Sequence, residues 1–220
     1  MLDILISVLF GLVEGITEWL PVSSTGHMIL LEEFISFRNV SEGFFDMFDV
    51  VIQLGAILAV IVSFFWRLNP IKRGITQDEQ KSILTLWGKI LVASIPAAVV
   101  GLLLDKVIEK LSGKDIDGWL YNSLVVSLAL VVYGILFIII ERYNKGKESK
   151  IASVNDISYK SALLIGVFQM LAIVPGTSRS GSTILGSMLI GVSRTAAASG
   201  MAKTIHQTAA STNALRAVTI

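Results

Sequence analysis

Two carboxylates, an imidazole and a run of hydroxyl side chains crowd into the first apolar stretch of this 220-residue chain, in the sequence EGITEWLPVSSTGH of residues 14–27. Glu14 and Glu18 are four residues apart and therefore share one face of a helix. Pro21 ends that helix, and the hydroxyl residues that follow are natural N-caps for the next one. Ionisable groups at membrane depth are costly and are usually kept for function. This stretch is therefore a candidate active site.

A second polar cluster follows a proline late in the chain, in the sequence PGTSRSGSTI from Pro175. Its hydroxyl residues can also cap a helix, and Arg179 adds a fork-shaped cation suited to phosphate oxygens. Half-helices beginning at both clusters would direct backbone N–H groups and positive dipole ends at a shared anion, most commonly a phosphate. The residues expected to bind this anion are Ser23, Thr25, Gly26, Ser178, Ser180 and Gly181.

Phosphoryl chemistry on a membrane-borne substrate fits this set of side chains. A hydroxyl of Ser23, Ser24 or Thr25 can act as the nucleophile. His27 or one of the two glutamates can accept its proton. Alternatively, the glutamates hold a divalent cation that bridges a diphosphate. A transporter of a lipid phosphate or another anion is the second interpretation, since transporters also bind anions between broken helices. A nucleophile beside a base favours the enzyme.

The composition indicates a membrane protein. Hydrophobic residues make up 53% of the chain and charged residues 16%, with a mean hydropathy of +0.73. An ordinary soluble domain is about 25% charged. The net charge of +1 gives no sign of a nucleic-acid partner, and the absence of cysteine excludes disulfides and thiolate metal sites. The N-terminus lacks a basic region and a cleavage site, so we interpret it as a retained membrane segment.

Three uninterrupted apolar stretches are long enough to span a bilayer, which takes about 20 residues. They are Met47–Trp66, Leu86–Leu104 and Trp119–Ile140. Two other stretches, Leu2–Leu31 and Ser161–Val192, are each interrupted by a proline and a Ser/Thr/Gly cluster. Irregular backbone is tolerated at membrane depth only where protein or a wet cavity surrounds it. The predicted fold class is therefore an all-α, polytopic integral membrane protein with two broken or re-entrant helix segments.

The two interrupted stretches form a weak internal repeat that begins at Gly11 and at Gly166. Each runs through an apolar stretch to a proline, a hydroxyl cluster and a second glycine. Glu14 falls opposite Gln169, and Arg179 is assigned to the one residue by which the second repeat is longer. Because three spans separate the repeats, they have opposite orientations, as in inverted-repeat membrane folds with a central binding site.

Loop charges predict the orientation of the spans. Basic residues predominate in segments 67–81 and 141–160, whereas acidic residues predominate in segments 32–46 and 105–118. The positive-inside rule places the first two segments in the cytoplasm and the other two outside. The three spans alternate consistently with this assignment.

Both clusters resemble the signature motifs of the bacterial undecaprenyl-diphosphate phosphatases, the bacitracin-resistance family. The sequences FDVVIQLGAILAV from Phe48 and GVSRTAAA from Gly191 are also similar to that family, and the resemblance covers residues 1–198. It implies a multi-pass enzyme of the bacterial plasma (inner) membrane whose active site faces outward. Such an enzyme hydrolyses undecaprenyl diphosphate to the monophosphate, recycles the lipid carrier of peptidoglycan synthesis and confers bacitracin resistance. The implied partners are a polyprenyl diphosphate lipid and membrane lipid.

The resemblance also implies roles for five residues by position. Ser24 is the implied nucleophile and Arg179 the implied phosphate clamp. Glu14 and Glu18 would bind a divalent cation, Mg²⁺ or Ca²⁺, or act as acid and base. His27 would assist proton transfer.

Asp49 and Gln53 stand one helical turn apart on the next predicted span. Their polar side chains are within reach of the first cluster if that span packs beside it. We interpret them as packing residues.

Residues 199–220 depart from the family pattern. We therefore divide the chain into a membrane phosphatase domain at 1–198, incomplete relative to the family, and an aberrant polar tail at 199–220. The tail has no acidic residue, and the second repeat lacks a counterpart of Met47–Trp66. A frameshift, an early stop or an alternative end is our hypothesis, which makes a non-catalytic truncated remnant a further alternative. A homo-oligomer, in which a partner subunit covers the exposed half-helix, is another expectation. His206 receives no functional role.

Overall fold

The structure, a computed structural model, describes residues 2–38, 40, 41, 43–112, 120 and 122–198. Its α-helices are α1 (Leu2–Trp19), α2 (Ser24–Phe34), α3 (Phe44–Leu68), α4 (Gln77–Ser112), α5 (Ser123–Asn144), α6 (Tyr159–Gln169) and α7 (Arg179–Leu189). Short 3₁₀ helices cover Val154–Asp156 and Met170–Ile173. No strand is present among these residues, apart from one isolated parallel bridge, so the predicted all-α fold class is confirmed. The tail at 199–220 lies outside the described residues.

Three helices, α3, α4 and α5, are long and apolar enough to cross a membrane. Only 11% of the most apolar window of α3 and of α5, and 17% of that of α4, is buried in the protein. The exposed remainder is rich in Leu, Val and Ile, which is the surface that a helix presents to lipid. The chain is therefore a multi-pass membrane protein.

The predicted spans Met47–Trp66 and Leu86–Leu104 lie within α3 and α4. The third span begins later than predicted. Asn122 caps α5 by accepting a hydrogen bond from the backbone N–H of Val125 at 3.0 Å, so the helix begins at Ser123. Trp119, where the prediction placed the beginning of this span, lies outside the described residues.

Both interrupted stretches break at their polar clusters. α1 ends at Trp19 and α2 begins at Ser24, while a 3₁₀ turn and Pro175 separate α6 from α7. The helices α2, α6 and α7 have 11 residues each. Such a helix is about 16 Å long, roughly half of the 30 Å hydrocarbon core, so none of the three crosses a bilayer alone.

The ends of each broken stretch lie side by side, which makes both stretches re-entrant hairpins. In the first hairpin, Asp3 near the beginning of α1 accepts a hydrogen bond from the Arg38 backbone N–H at 3.2 Å. In the second hairpin, the Ile151 N–H donates to the Gly191 carbonyl at 3.1 Å, and the Ser193 N–H donates to the Ile151 carbonyl at 2.8 Å. Each hairpin therefore enters and leaves on one side of the molecule.

An aromatic cluster holds the first hairpin against α3. Phe10 of α1 is fully buried, and its ring centroid lies 5.3 Å from that of Phe45 and 6.3 Å from that of Phe48. Phe37, which follows α2, stacks on Phe10 at 5.8 Å. Aromatic pairs of this kind contribute about 0.5–1.5 kcal/mol each beyond the area that they bury. The cluster thus fixes α1 and α2 relative to the first membrane span.

A glycine lets the second hairpin pack on α4. A Cβ at Gly166 of α6 would collide with the Ala93 carbonyl oxygen and lie 3.0 Å from Cδ of Pro96. At Gly11, its counterpart in the repeat, the same Cβ position has no atom of the described residues within 4 Å. The two hairpins therefore share their local design but pack differently on their neighbours.

Candidate active site

The half-helices α2 and α7 begin with the same N-cap. The Ser23 hydroxyl accepts a hydrogen bond from the Gly26 backbone N–H at 3.2 Å, and the Ser178 hydroxyl accepts one from the Gly181 N–H at 3.1 Å. An α-helix leaves four N–H groups without partners at its beginning, and a serine cap satisfies one of them. The N-termini of α2 and α7 are therefore matched places for an anion.

The matched caps show that Arg179 corresponds to Ser24 in the internal repeat. Ser24 and Arg179 each follow the cap directly and are the first residues of α2 and α7. Assigning Arg179 to the extra residue of the second repeat was wrong, because the extra residue lies in the turn between Pro175 and Ser178. In that turn Gly176 has a φ of +92°, a left-handed conformation that suits glycine. The candidate nucleophile and the candidate phosphate clamp thus occupy equivalent positions.

The first turn of each half-helix touches the irregular turn that precedes the other half-helix. A Cβ placed on Gly26 would lie 3.0 Å from the Gly176 Cα, and a Cβ placed on Gly181 would lie 2.9 Å from the Pro21 carbonyl oxygen. Only glycine allows so close a crossing without a shift of the backbone. The contact brings the beginnings of α2 and α7 together, as the sequence predicts.

Ser24 is hydrogen-bonded to a carboxylate. Its hydroxyl donates to Oε1 of Glu18 at 2.5 Å, across the turn between α1 and α2. A nucleophile within hydrogen-bond reach of its base, about 2.6–3.2 Å, is the usual arrangement for covalent catalysis. Of the proton acceptors that the sequence leaves open, Glu18 is the one in contact with Ser24.

His27 makes a different contact. Its Nδ1 lies 2.6 Å from the Ser23 carbonyl oxygen, which can only accept a hydrogen bond. Nδ1 therefore carries the proton in the neutral ring, and Nε2 keeps its lone pair. This bond orients the imidazole on the first turn of α2.

Glu14 is the most isolated carboxylate of the site. It is 1% exposed, and neither of its oxygens has a hydrogen-bond partner among the residues that the structure describes. Its counterpart Gln169 is 2% exposed and likewise has both side-chain polar atoms without a partner in this part of the chain. A buried polar group left unpaired costs about 1–3 kcal/mol. Glu14 and Gln169 are therefore candidates to bind an ion, a water or a substrate group.

Asp49 of α3 belongs near this carboxylate pair. It interacts electrostatically with both Glu14 and Glu18. Its Oδ2 accepts a hydrogen bond from Gln53 Nε2 at 2.7 Å, while Oδ1 is buried with no hydrogen-bond partner among the described residues. The interpretation of Asp49 as a packing residue is therefore too narrow. The available signal was that Asp49 is the one carboxylate of the predicted span Met47–Trp66.

The residues present fit a divalent cation only in part. No group of three or more His, Asp or Glu side chains within the described ranges is placed to hold an ion. Mg²⁺ is usually bound by one or two carboxylates, with water and substrate phosphate oxygens as its other ligands. The unpaired oxygens of Glu14, with Glu18 nearby, fit that kind of open site.

The remaining predicted binding residues lie in the first turns of the half-helices. Ser180 is 8% exposed and its hydroxyl is 2.8 Å from that of Ser178. Thr25 is half-buried in the first turn of α2. Thr177 lies before α7, in the turn between Pro175 and Ser178. Its hydroxyl donates to the Leu171 and Val174 carbonyls at 2.5 and 2.6 Å and so stabilises this turn.

Sequence reasoning missed Tyr133 of α5. It is 7% exposed, and its ring and hydroxyl lie against Gly181. Its only sequence signal is the spacing of Val126, Ala129 and Tyr133 along one helix face. That signal is hidden because α5 is apolar all round.

The fold and the site define an all-α, multi-pass membrane protein in which two capped half-helices begin side by side. The family model described as "Bacitracin resistance protein BacA" matches residues 7–200. The chain belongs to this family.

Relatives at about half identity are bacterial proteins, each named undecaprenyl-diphosphatase. The one from Enterococcus faecalis strain V583 is 52% identical over 188 residues, which cover 86% of this chain and 65% of the relative. The one from Streptococcus mutans is 50% identical over 192 residues, covering 87% and 66%. The one from Limosilactobacillus fermentum is 51% identical over 198 residues, covering 90% and 68%. The chain spans about two thirds of the length of these curated relatives.

Proposed function

We propose that the protein hydrolyses undecaprenyl diphosphate to undecaprenyl phosphate and inorganic phosphate. The observation that carries this proposal is the hydrogen bond from Ser24 to Glu18, at the beginning of a half-helix that meets its counterpart beginning with Arg179. The names of the relatives supply the substrate. The reaction recycles the lipid carrier of peptidoglycan synthesis, and additional enzyme confers bacitracin resistance.

In the proposed reaction, Arg179 and the first turns of α2 and α7 bind the terminal phosphate. Glu18 accepts the Ser24 hydroxyl proton as the oxygen attacks the terminal phosphorus. The bond from that phosphorus to the bridging oxygen breaks, and undecaprenyl phosphate leaves. Water then attacks the phosphorus of the phosphoserine and passes a proton to a neighbouring base. The bond from phosphorus to the Ser24 oxygen breaks, Glu18 returns its proton to that oxygen, and inorganic phosphate is released. Phosphoryl transfer depends mainly on positioning and charge stabilisation, which is what this set of residues offers.

His27 is placed to serve as the second proton carrier. Its Nδ1 is engaged with the Ser23 carbonyl, so Nε2 is the atom that takes up or gives up a proton. This separates its role from that of Glu18, which contacts Ser24 directly.

We propose Glu14 and Glu18 as the residues that hold a divalent cation, Mg²⁺ or Ca²⁺. When bound, the cation neutralises charge on the diphosphate oxygens. The buried, unpaired oxygens of Glu14 support this assignment, because a hard cation is a natural partner for them.

We also propose that the site opens to the outer face of the bacterial plasma membrane. The hairpin of α1 and α2 leads into segment 32–46, which is acidic, whereas segment 141–160 before α6 is basic. By the positive-inside rule the first hairpin then enters from outside and the second from the cytoplasm. Ser24 and Glu18 both belong to the hairpin on the outer side.

The test is phosphate release from undecaprenyl diphosphate by the purified protein, with Mg²⁺ or Ca²⁺ and with a chelator. The proposal predicts release that requires the cation. Transport of an intact lipid phosphate, the competing interpretation, predicts none. No release with either cation contradicts the proposed function.

A further inference from the structure

One face of α5 packs against the turn between Pro175 and Ser178, which precedes α7 and is called the second turn below. Val126 is fully buried and Tyr133 is 7% exposed, on a helix that otherwise presents apolar side chains to lipid. Together with Ala129 they follow the spacing i, i+3, i+7, which places them on one face of the helix.

The second turn lies directly on this face. A Cβ at Gly176 would lie 2.7 Å from the Val126 carbonyl oxygen and 3.0 Å from the Ala129 Cβ. A Cβ at Gly181 would overlap the Tyr133 hydroxyl and lie 2.8 Å from its ring carbon Cζ. Both contact points on the turn side are glycines, so backbone and first helical turn rest on α5 without a side chain between them.

Tyr133 brings a polar atom to this contact. Its hydroxyl is buried from solvent against Gly181, and neither this hydroxyl nor that of Ser182 in α7 has a hydrogen-bond partner within the described residues. An apolar side chain of similar shape would fill the same space without burying a hydroxyl, so packing alone does not explain a tyrosine here.

We propose that Tyr133 is a positioning residue for the phosphate site. Its ring and hydroxyl bear directly on Gly181, two residues after Arg179 in the same helix. Through these contacts it sets the height and rotation of the first turn of α7, and hence where the Arg179 guanidinium meets the phosphate. This inference rests on the proposed function. A displacement of about 1 Å in a positioning element can cost about 100-fold in rate.

The test compares Tyr133→Phe, which keeps the ring and removes the hydroxyl, with Tyr143→Phe. Tyr143 is an exposed tyrosine on the same helix whose ring lies under Lys147. Phosphate release is measured as kcat and KM, together with the unfolding temperature in detergent. We expect Tyr133→Phe to lower kcat/KM by about tenfold to 100-fold. We expect its unfolding temperature to stay near that of the parent and Tyr143→Phe to behave like the parent.

A second comparison separates positioning from general stability. In an Arg179→Lys background the guanidinium fork is gone, so removing the Tyr133 hydroxyl should cost less than threefold, roughly, because coupled residues are not additive. An equal loss in both backgrounds, or full activity of Tyr133→Phe, overturns the inference.

Binding of inorganic pyrophosphate distinguishes this inference from the proposed function. If the parent binds pyrophosphate but releases no phosphate from the lipid, the proposed function fails. The inference is then tested by the Kd of Tyr133→Phe, which should be raised at least threefold, roughly, as expected for a lost positioning contact. An unchanged Kd, or a parent that does not bind pyrophosphate, overturns it.

Discussion

The Ser24 hydroxyl already faces a proton acceptor, since its bond to Glu18 is 2.5 Å long. The two neighbouring hydroxyl residues differ from Ser24 in their contacts. The Ser23 hydroxyl caps α2, and Thr25 follows Ser24 in the first turn of the helix. Among three neighbouring hydroxyls, only that of Ser24 is paired with a carboxylate within the described residues. This selection cannot be read from the sequence, because all three residue types can act as a nucleophile.

Glu18→Gln tests the base. The amide keeps the shape of the side chain and can still bond Ser24, but it cannot accept the hydroxyl proton. We expect phosphate release to fall by about 10²–10⁴-fold, which is the usual contribution of general acid–base catalysis. Glu148→Gln, in an exposed loop, is the matched control and should retain full activity. A Glu18→Gln protein with parental kcat contradicts the assignment.

Glu14→Gln tests the buried carboxylate. Because its oxygens lack partners in the described part of the chain, neutralising the side chain should leave the unfolding temperature unchanged or raise it. Activity should fall, and the Mg²⁺ concentration for half-maximal release should rise by at least about tenfold, since even outer partners of a metal site contribute that much. The two quantities are measured on one preparation by thermal unfolding in detergent and a cation titration. Lower stability with an unchanged cation requirement points to a structural role instead.

At the scale of the elements, the two half-helices depend on glycines as much as on serines. The serine caps and the breaks after α1 and α6 are predictable from the sequence, because proline and Ser/Thr clusters act locally. The sequence does not predict the position of the extra residue before Ser178 or the role of Tyr133. Both depend on how the second turn rests on Val126 and Ala129, which is a tertiary contact between distant parts of the chain.

Gly26→Ala tests the close contact between the first turn of α2 and the turn before α7. Its new Cβ would lie 3.0 Å from the Gly176 Cα and 3.2 Å from the Ser23 hydroxyl oxygen, so the turns must separate. Overpacking of this kind costs about 1–3 kcal/mol, and we expect lower stability together with a loss of phosphate release.

Gly55→Ala in α3 is the matched control for this substitution. Apart from neighbouring residues of its own helix, no described residue has an atom within 4 Å of its Cβ position, so alanine should leave activity unchanged and stabilise the helix by about 0.5–1 kcal/mol. Equal behaviour of the two variants in unfolding and phosphate release contradicts the close crossing.

In the whole molecule, two re-entrant hairpins, each with its ends joined by hydrogen bonds, meet between three membrane spans. The spans and their approximate limits are predictable from hydropathy alone, because lipid imposes length and composition on a crossing helix. The sequence repeat also predicts the pairing of the hairpins. It does not predict that Gly166 packs on α4 while Gly11 has an open surface, since the repeat contains no information about each hairpin's neighbours.

The orientation of the molecule is tested by cysteine labelling in intact cells. The chain has no cysteine, so single substitutions report without a background. Ser41→Cys lies in the acidic segment and Ser149→Cys in the basic one, and both positions are exposed. A membrane-impermeant maleimide should label Ser41→Cys in intact cells and Ser149→Cys only after permeabilisation. The reverse pattern contradicts an outward-facing first hairpin.

In the proposed site, residues of both hairpins bind one phosphate. Phosphate release from undecaprenyl diphosphate by the parent, Ser24→Ala and Arg179→Ala tests it most directly, because each variant alters the first residue of a different half-helix. We expect release by the parent, and a loss of about 10²–10³-fold or more in each variant, the range seen when one group that stabilises transition-state charge is removed. Release by the parent that either variant retains in full would contradict the claim.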